Sequence, residues 1–274
     1  GNRHRLVHVD RPQDIAAAID DDTAVLMLTH VNYRDGSLHD MADLTRAAHD
    51  AGALVVWDLA HSAGALRVDL AGCHADFAVG CGYKYLNGGP GAPAFLYVAP
   101  RHHGGFRQPL SGWFGHRDPF EFTPQYDAAG DIGQYLCGTP PVLSMVALDA
   151  ALDVWEGVNM TALRAKSQAL TGYFIELVET RCAGHGLTLI SPRNPDARGS
   201  QVSFTHAQGG YAIISALIAD GVIGDFRAPD VLRFGFTPLY TSFADVWHAV
   251  DRMAAILDEH RWDKPEFHAR KAVT

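Results

Sequence analysis

The sequence predicts an α/β fold, in which a mostly parallel sheet with helices on both faces is followed by a smaller C-terminal α+β domain. The first half contains short, continuous apolar runs that alternate with a segment of helical periodicity, which is typical of strands buried on both faces of a sheet. The second half combines long helical patterns with short strand-like runs and has no flexible linker. We therefore expect part of a large domain over residues 1–140 and a small domain over residues 141–274.

Four strands and one helix are predicted in the first half. The helix 39–52 has apolar residues at helical spacing, Asp40 as its candidate N-cap and Gly52 at its end. Parallel sheets bind ligands at the carboxyl ends of their strands, so the residues that follow these strands are candidates for a site. The predicted strands are 23–31, 53–60, 76–83 and 92–100.

The second half is predicted to pack helices against an antiparallel sheet. Pro140 and Pro141 begin a helical pattern that continues to Trp155, in keeping with the tolerance of proline in a first helical turn. Further helices are predicted over 160–186, 210–220 and 242–260, and further strands over 187–191, 200–204 and 231–236.

Composition and charge restrict the class of function. A chain of 274 residues with 47% hydrophobic residues can bury a sizeable core. Its formal net charge of −9 argues against a general attraction to nucleic acid or to an anionic membrane, so we expect a small-molecule partner. We also expect a cytoplasmic protein, because the N-terminus lacks a signal peptide's apolar core and the four cysteines form no CxxC pair.

Asp58 and Lys84 lie at or just beyond the ends of two predicted strands, and therefore at the same edge of the sheet. An exposed pair of this kind is commonly a weak surface ion pair. Apolar neighbours such as Trp57 and Tyr85 favour partial burial instead, which would make the lysine amine a usable nucleophile. Both interpretations stay open at this point.

A glycine-rich stretch, 88–91, follows Lys84. It fits neither the P-loop pattern nor the dinucleotide-binding fingerprint. It is either a tight connection into the next strand or a place where the backbone approaches a ligand closely.

The segment 55–98 resembles the cofactor-binding segment of the kynureninases, a group of fold-type I pyridoxal-phosphate enzymes within aminotransferase class V. The resemblance begins with the elements DLAH and YKYLN and continues in order through later blocks over nearly the whole chain. It implies a fold-type I enzyme with pyridoxal 5'-phosphate as cofactor. The later blocks are PLSGWFGH (109–116), YLCGTPPVLS (135–144), RGSQVSF (198–204) and LRFGFTPLYTSF (232–243).

The resemblance implies roles for five residues of the first half. Lys84 would form the internal aldimine with the cofactor. Asp58 would bond the protonated pyridine nitrogen, which keeps the ring an effective electron sink. His61 would contact the cofactor near its ring, Tyr83 would reach the phosphate and relay protons, and Thr29 would line the cofactor pocket.

Three further residues have roles implied by the resemblance. Trp113 and Thr139 would approach the phosphate from the partner subunit, so the protein would be a homodimer with shared active sites. Arg233 would hold the α-carboxylate of an amino-acid substrate, for which the fork of a guanidinium is suited.

Several of these residues also have simpler interpretations. Asp58 and His61 could be two metal ligands, but no third ligand follows at a convincing spacing, so we expect no metal. Trp113 could belong to the core, and Arg233 could be a solvated residue of an edge strand. Cys137 could indicate a cysteine desulfurase, although a lone cysteine is more often a small buried apolar residue.

The implied reaction is hydrolysis of L-kynurenine to anthranilate and L-alanine, with Lys84 as the base that removes the α-proton and Tyr83 as a candidate proton donor. 3-Hydroxykynurenine is an alternative substrate. Another class V enzyme, such as a desulfurase or an aminotransferase, and a non-catalytic derivative of the fold are alternative functions. Family members are longer, and the resemblance places an aromatic residue stacked on the ring and several phosphate contacts before Gly1.

Overall fold

The computed structural model describes residues 4–270, which divide into two compact units. Each unit has its own sheet. Within the described residues, the first unit comprises the chain up to His30, His39–Ala60 and Val68–Glu156, and the second comprises Val31–Leu38, His61–Arg67 and the chain from Gly157 onward.

The first unit contains a four-stranded sheet in the order β1-β2-β3-β4. The first three strands are parallel, which confirms the prediction, whereas β4 runs antiparallel to β3. A hydrogen bond of 3.0 Å from the Gly82 N–H to the Pro93 carbonyl closes the connection between these two strands, which contains no crossover helix. The strands are β1 (Val25–Thr29), β2 (Leu54–Asp58), β3 (Phe77–Cys81) and β4 (Ala94–Val98).

Among the described residues of this unit there are two α-helices, α1 (Met41–Asp50) and α2 (Val142–Leu152). The predicted cap of α1 is confirmed, because the Asp40 side chain accepts a hydrogen bond from the Asp43 N–H at 2.9 Å. Gly52 follows the helix with a φ of +79°, a conformation that favours glycine.

The expectation that every strand of this sheet is buried on both faces is wrong for the two edge strands, β1 and β4. The side chains of Val25 and Met27 on β1 and of Leu96 on β4 are exposed. A continuous apolar run does not reveal which of its residues face another layer of the protein.

The second unit has an antiparallel sheet in the order β5-β6-β8-β7, which confirms the predicted arrangement. Its core contains Phe174, Phe204, Ile213, Leu232 and Met253, from three helices and two strands. The strands are β5 (Thr188–Leu189), β6 (Gln201–Thr205), β7 (Asp225–Arg227) and β8 (Val231–Gly235), and the helices are α3 (Met160–Arg181), α4 (Gly210–Ala219), α5 (Phe243–Asp258) and α6 (Pro265–His268).

The domain boundary predicted at residue 140 stays a prediction. The packing of α2 favours a boundary further along the chain. Leu148 of α2 lies against the backbone of Gly82 and Gly88, since a Cβ atom added at either glycine would come within about 3 Å of its methyl groups. The first unit accordingly extends to Glu156.

A buried carboxylate at the start of β3 connects three segments of the first unit. The Asp76 side chain is only 3% exposed and accepts hydrogen bonds from the Val55 N–H at 2.8 Å and from Arg101 at 2.7 Å. The Nε2 atoms of His49 and His102 lie 2.8 and 2.6 Å from its oxygens. Burial alone would raise the pKa of Asp76, but the bonds from His102, His49, Val55 and Arg101 hold it well below its usual range.

Asp76→Asn is expected to lower the free energy of unfolding by at least about 2 kcal/mol, because an amide cannot accept from all four donors. Since folding lowers the pKa of Asp76, its contribution is present above about pH 4 and decreases as the pH falls further. Urea unfolding at pH 7 and pH 3 measures both effects. Asp43→Asn in the exposed pair with Arg46 is the control, and an equal loss in both variants would contradict this role for Asp76.

Candidate functional site

Thr29 and Asp58 are the last residues of β1 and β2 and lie directly opposite each other in the parallel ladder. The Asp58 carbonyl accepts a hydrogen bond from the His30 N–H at 2.9 Å. Its side-chain Oδ1 accepts from the Ala60 N–H at 2.7 Å, which fixes the carboxylate at the carboxyl edge of the sheet. Asp58 is half-buried, so the carboxylate remains partly open to a ligand.

The chain after β3 runs beside the chain after β2. The Leu59 N–H donates to the Val79 carbonyl at 2.8 Å, and the Cys81 thiol lies 3.9 Å from the Ala60 carbonyl. Lys84 is the third residue beyond β3. The structure therefore places Lys84 in a loop next to the turn that follows Asp58. This agrees with the prediction that residues after neighbouring parallel strands lie at the same edge of the sheet.

Lys84 is half-buried between an exposed and a buried tyrosine. Its Nζ lies 5.3 Å from the centroid of the Tyr83 ring, within the range of a cation–π contact. Tyr83 is 49% exposed, whereas Tyr85 is buried and anchors the loop. The local structure thus presents an amine and a phenol side by side.

The glycines after Lys84 have different functions in the loop. A Cβ on Gly88 would lie 2.8 Å from the Gly82 carbonyl oxygen, so this glycine permits close packing of the loop on itself. Gly89 and Gly91 have φ values of +69° and +89° and face open space. A tight connection, one of the two interpretations of this stretch, therefore explains Gly88.

Trp113 and Thr139 lie on two segments that pack backbone to backbone. A Cβ on Gly112 would come within 1.7 Å of the Cys137 carbonyl oxygen, so only glycine fits beside that segment. Trp113 is 43% exposed and Thr139 is exposed. The interpretation of Trp113 as a core residue is therefore wrong, because its side chain is exposed.

Exposed aromatic side chains form a cluster with Trp113. Its ring makes an edge contact with Phe120 at 5.7 Å, and Phe120 makes one with Phe122 at 6.4 Å between centroids. Both phenylalanines are strongly exposed. Clustered exposed aromatic residues mark interaction surfaces more often than isolated ones do.

His61 and Arg233 belong to the second unit. His61 begins a short turned segment, in which the Ala65 and Leu66 N–H groups donate to the Ser62 carbonyl. Arg233 lies on β8, which pairs on both sides, so the expectation of a solvated edge-strand residue is wrong. Its side chain is 12% exposed and forms an ion pair with Asp225, a residue that the sequence analysis did not identify.

Cys137 is exposed, so the expectation of a buried apolar cysteine is wrong at this position. Its thiol donates to the Leu110 carbonyl at 2.8 Å. Across residues 4–270, no group of three or more histidine, cysteine and acidic side chains is arranged to hold a metal ion. Over the same range, none of the helices combines the length and apolar character needed to cross a membrane.

Comparison with known proteins yields relatives at high and at low identity. The family described as "Kynureninase C-terminal domain" matches residues 163–253. A kynureninase of Burkholderia mallei (strain SAVP1) is 56% identical over 271 residues, which cover 99% of this chain and 65% of the relative. A kynureninase of Pseudomonas fluorescens is 55% identical over 266 residues, which cover 97% of this chain and 64% of the relative.

Solved structures at lower identity share the fold. A cysteine desulfurase from Thermococcus onnurineus NA1 has a TM-score of 0.75 at 22% identity. The match covers 90% of this chain and 63% of the desulfurase chain. A cystine C-S lyase, C-DES, has a TM-score of 0.75 at 19% identity. The match covers 89% of this chain and 64% of the lyase chain. The predicted fold-type I architecture is thereby confirmed.

The kynureninase sequences and the solved structures give different information about this chain. The low identity of the desulfurase and lyase structures supports the fold alone, whereas the identity of the kynureninases extends along nearly the entire chain. The chain spans slightly less than two thirds of the length of those kynureninases. Over nearly all of its length, the chain is therefore similar to kynureninases.

Proposed function

We propose that the protein uses pyridoxal 5'-phosphate to hydrolyse L-kynurenine to anthranilate and L-alanine. The observation that carries the proposal is the set of side chains at the carboxyl edge of the first unit's sheet. There, a half-buried Asp58 carboxylate lies at the end of β2, and the loop beside it presents Lys84 and Tyr83. Kynureninases at 55–56% identity support the choice of reaction.

The chemistry of these side chains fits the cofactor. A lysine amine can bind an aldehyde covalently, and a carboxylate can accept a charge-assisted hydrogen bond from a protonated ring nitrogen. Asp58 uses Oδ1 for the Ala60 N–H, and Oδ2 is the second acceptor of the same carboxylate. Thr29 lies opposite Asp58 in the ladder and supplies a hydroxyl at the same edge. We propose that Lys84, Asp58, Tyr83, Thr29 and His61 hold the cofactor.

The proposed roles of the chain's own groups concern proton transfer. When bound, pyridoxal phosphate supplies an electron-withdrawing ring that stabilises negative charge at the substrate carbon next to the amine. The Lys84 amine would remove the proton from that carbon, and the exposed Tyr83 hydroxyl would deliver a proton to the β-carbon after the carbon–carbon bond breaks. Arg233 would hold the α-carboxylate with its planar fork.

Anthranilate release from L-kynurenine by the full-length protein, supplied with pyridoxal phosphate, tests this proposal. Anthranilate and L-alanine should appear in equal amounts. L-cysteine and a pair of amino and keto acids should be tested in parallel. Sulfur release from cysteine or amino-group exchange, without anthranilate, would favour the desulfurase or aminotransferase alternative and refute the proposed reaction.

We also propose that the protein is a cytoplasmic homodimer in which Trp113 and Thr139 complete the site of the partner subunit. The exposed aromatic cluster of Trp113, Phe120 and Phe122 supports an interface, because such side chains gain from burial against a second copy. The cytoplasmic location is supported by the four cysteines, which are all free thiols.

Mixing Trp113→Ala and Lys84→Ala proteins is expected to restore activity that neither has alone. In a mixed dimer, one site carries both defects and the other carries neither, so complete exchange of subunits should give about a quarter of the native rate. Anthranilate release after confirmed subunit exchange is the measurement. Asp58→Asn mixed with Lys84→Ala is the control. Both residues serve the site of their own subunit, so each site of a mixed dimer carries one defect and no activity should return. Equal recovery in the two mixtures, or none in either, would contradict the shared site.

A further inference from the structure

Asp225 faces Arg233 across the pair of strands β7 and β8. The two residues are register partners in the antiparallel ladder, and Arg233 Nη2 donates to Asp225 Oδ2. The same oxygen lies 2.9 Å from Nη2 of Arg227, which is two residues along β7 and therefore on the same face of the strand. One carboxylate is thus shared by two guanidinium groups.

A second contact fixes the other end of the Arg233 guanidinium. Nη1 donates to the Tyr33 carbonyl at 2.8 Å, and this carbonyl also accepts from Gln201 Nε2 at 2.9 Å. Contacts to both terminal nitrogens fix the orientation of the guanidinium, and the side chain is only 12% exposed. A guanidinium has five N–H donors, so enough donors remain for a bidentate contact with a second carboxylate.

The charges of this group do not balance. Arg227 and Arg233 each carry a positive charge, and Asp225 is the carboxylate that they share. The net charge of the three side chains is therefore positive by one unit, which favours the binding of one further anion. A largely buried guanidinium that is oriented by its own partners loses little freedom when it binds that anion.

We propose that Asp225 is a positioning residue, which orients Arg233 for the α-carboxylate of an amino-acid substrate. This inference rests on the proposed function, in which Arg233 holds that carboxylate. Two other roles of Asp225 predict different results. A carboxylate that competes with the substrate for Arg233 would weaken binding, so its removal would increase affinity. A carboxylate that only joins β7 to β8 would affect stability and not affinity.

The experiment compares full-length protein with its cofactor in four forms: native, Asp225→Ala, Asp225→Asn and Asp251→Ala. Asp251→Ala is the matched control, because it removes a carboxylate that pairs with Arg181 in the same unit. The measurements are KM and kcat for L-kynurenine, the Kd of L-alanine by calorimetry, and the melting temperature. L-alanine carries the same α-carboxylate, and its binding requires no turnover.

Asp225→Ala is expected to raise both KM and the Kd of L-alanine at least tenfold, with a smaller change in kcat. Asp225→Asn should recover most of this affinity, because its amide oxygen can still accept from Arg233. Asp251→Ala should leave both constants unchanged. Affinity that increases in Asp225→Ala, or that stays the same while the melting temperature falls, would overturn the inference. If the native protein releases no anthranilate, the proposed function fails, and the L-alanine measurement still decides the role of Asp225.

Discussion

Replacing Lys84 by alanine is expected to lower the rate of anthranilate release by at least about a thousandfold. The loss follows from the two roles proposed for this amine, which are to bind the cofactor's aldehyde and to move the proton at the substrate's α-carbon. The variant should remain folded, because Lys84 is only half-buried and its loop is anchored by the buried Tyr85. Single-turnover and steady-state rates, together with thermal unfolding, measure both expectations.

An exposed lysine of the second unit provides the control. Lys264 lies just before α6, and Lys264→Ala should leave the rate and the stability unchanged. If Lys84→Ala retained more than about a tenth of the native rate, the assignment of this amine to the chemistry would be wrong.

Asp58→Asn is expected to reduce kcat by at least about a hundredfold while changing the shape of the site very little. The amide can still accept the hydrogen bond from the Ala60 N–H, so the turn after β2 should persist. It cannot neutralise a protonated ring nitrogen, so the bound cofactor should withdraw electrons less strongly. The rate of anthranilate release and the visible absorbance of the bound cofactor are the measurements.

Asp69→Asn is the matched control for this substitution. Asp69 also accepts a backbone hydrogen bond in a turn, from the Gly72 N–H at 2.8 Å, but this turn is exposed. The control variant should keep the native rate. Equal rates and identical absorbance spectra in Asp58→Asn and the native protein would show that Asp58 does not contact the ring nitrogen.

Local signals in the sequence were sufficient to predict most helices and strands of the first unit. The Asp40 cap and Gly52 mark the ends of α1, and both act as predicted. The apolar runs identify β1 to β4, but they do not reveal that β4 turns back antiparallel, because the direction of a strand depends on its connection. The three-residue strand β7 was missed, since Asp225–Arg227 is too short to show an alternating pattern.

In the candidate site, too, local sequence predicts some features, whereas others depend on contacts between distant segments. The positions of Asp58 and Lys84 at one edge of the sheet follow from the rule for parallel strands, which needs only the strand ends. The partner of Arg233 could not be predicted, because the pairing with Asp225 depends on a ladder between two separate strands. Exposure at Trp113 and Cys137 likewise depends on how two distant segments pack through Gly112.

Identification of the lysine that binds the cofactor tests the proposed site without any measurement of turnover. Full-length protein supplied with pyridoxal phosphate is treated with borohydride, which fixes the cofactor to the amine that holds it, and the modified peptide is identified by mass spectrometry. We expect loss of the yellow colour and a single modified residue, Lys84. Modification at Lys166 or Lys264 instead, or a cofactor that is released unmodified, would contradict the proposed site.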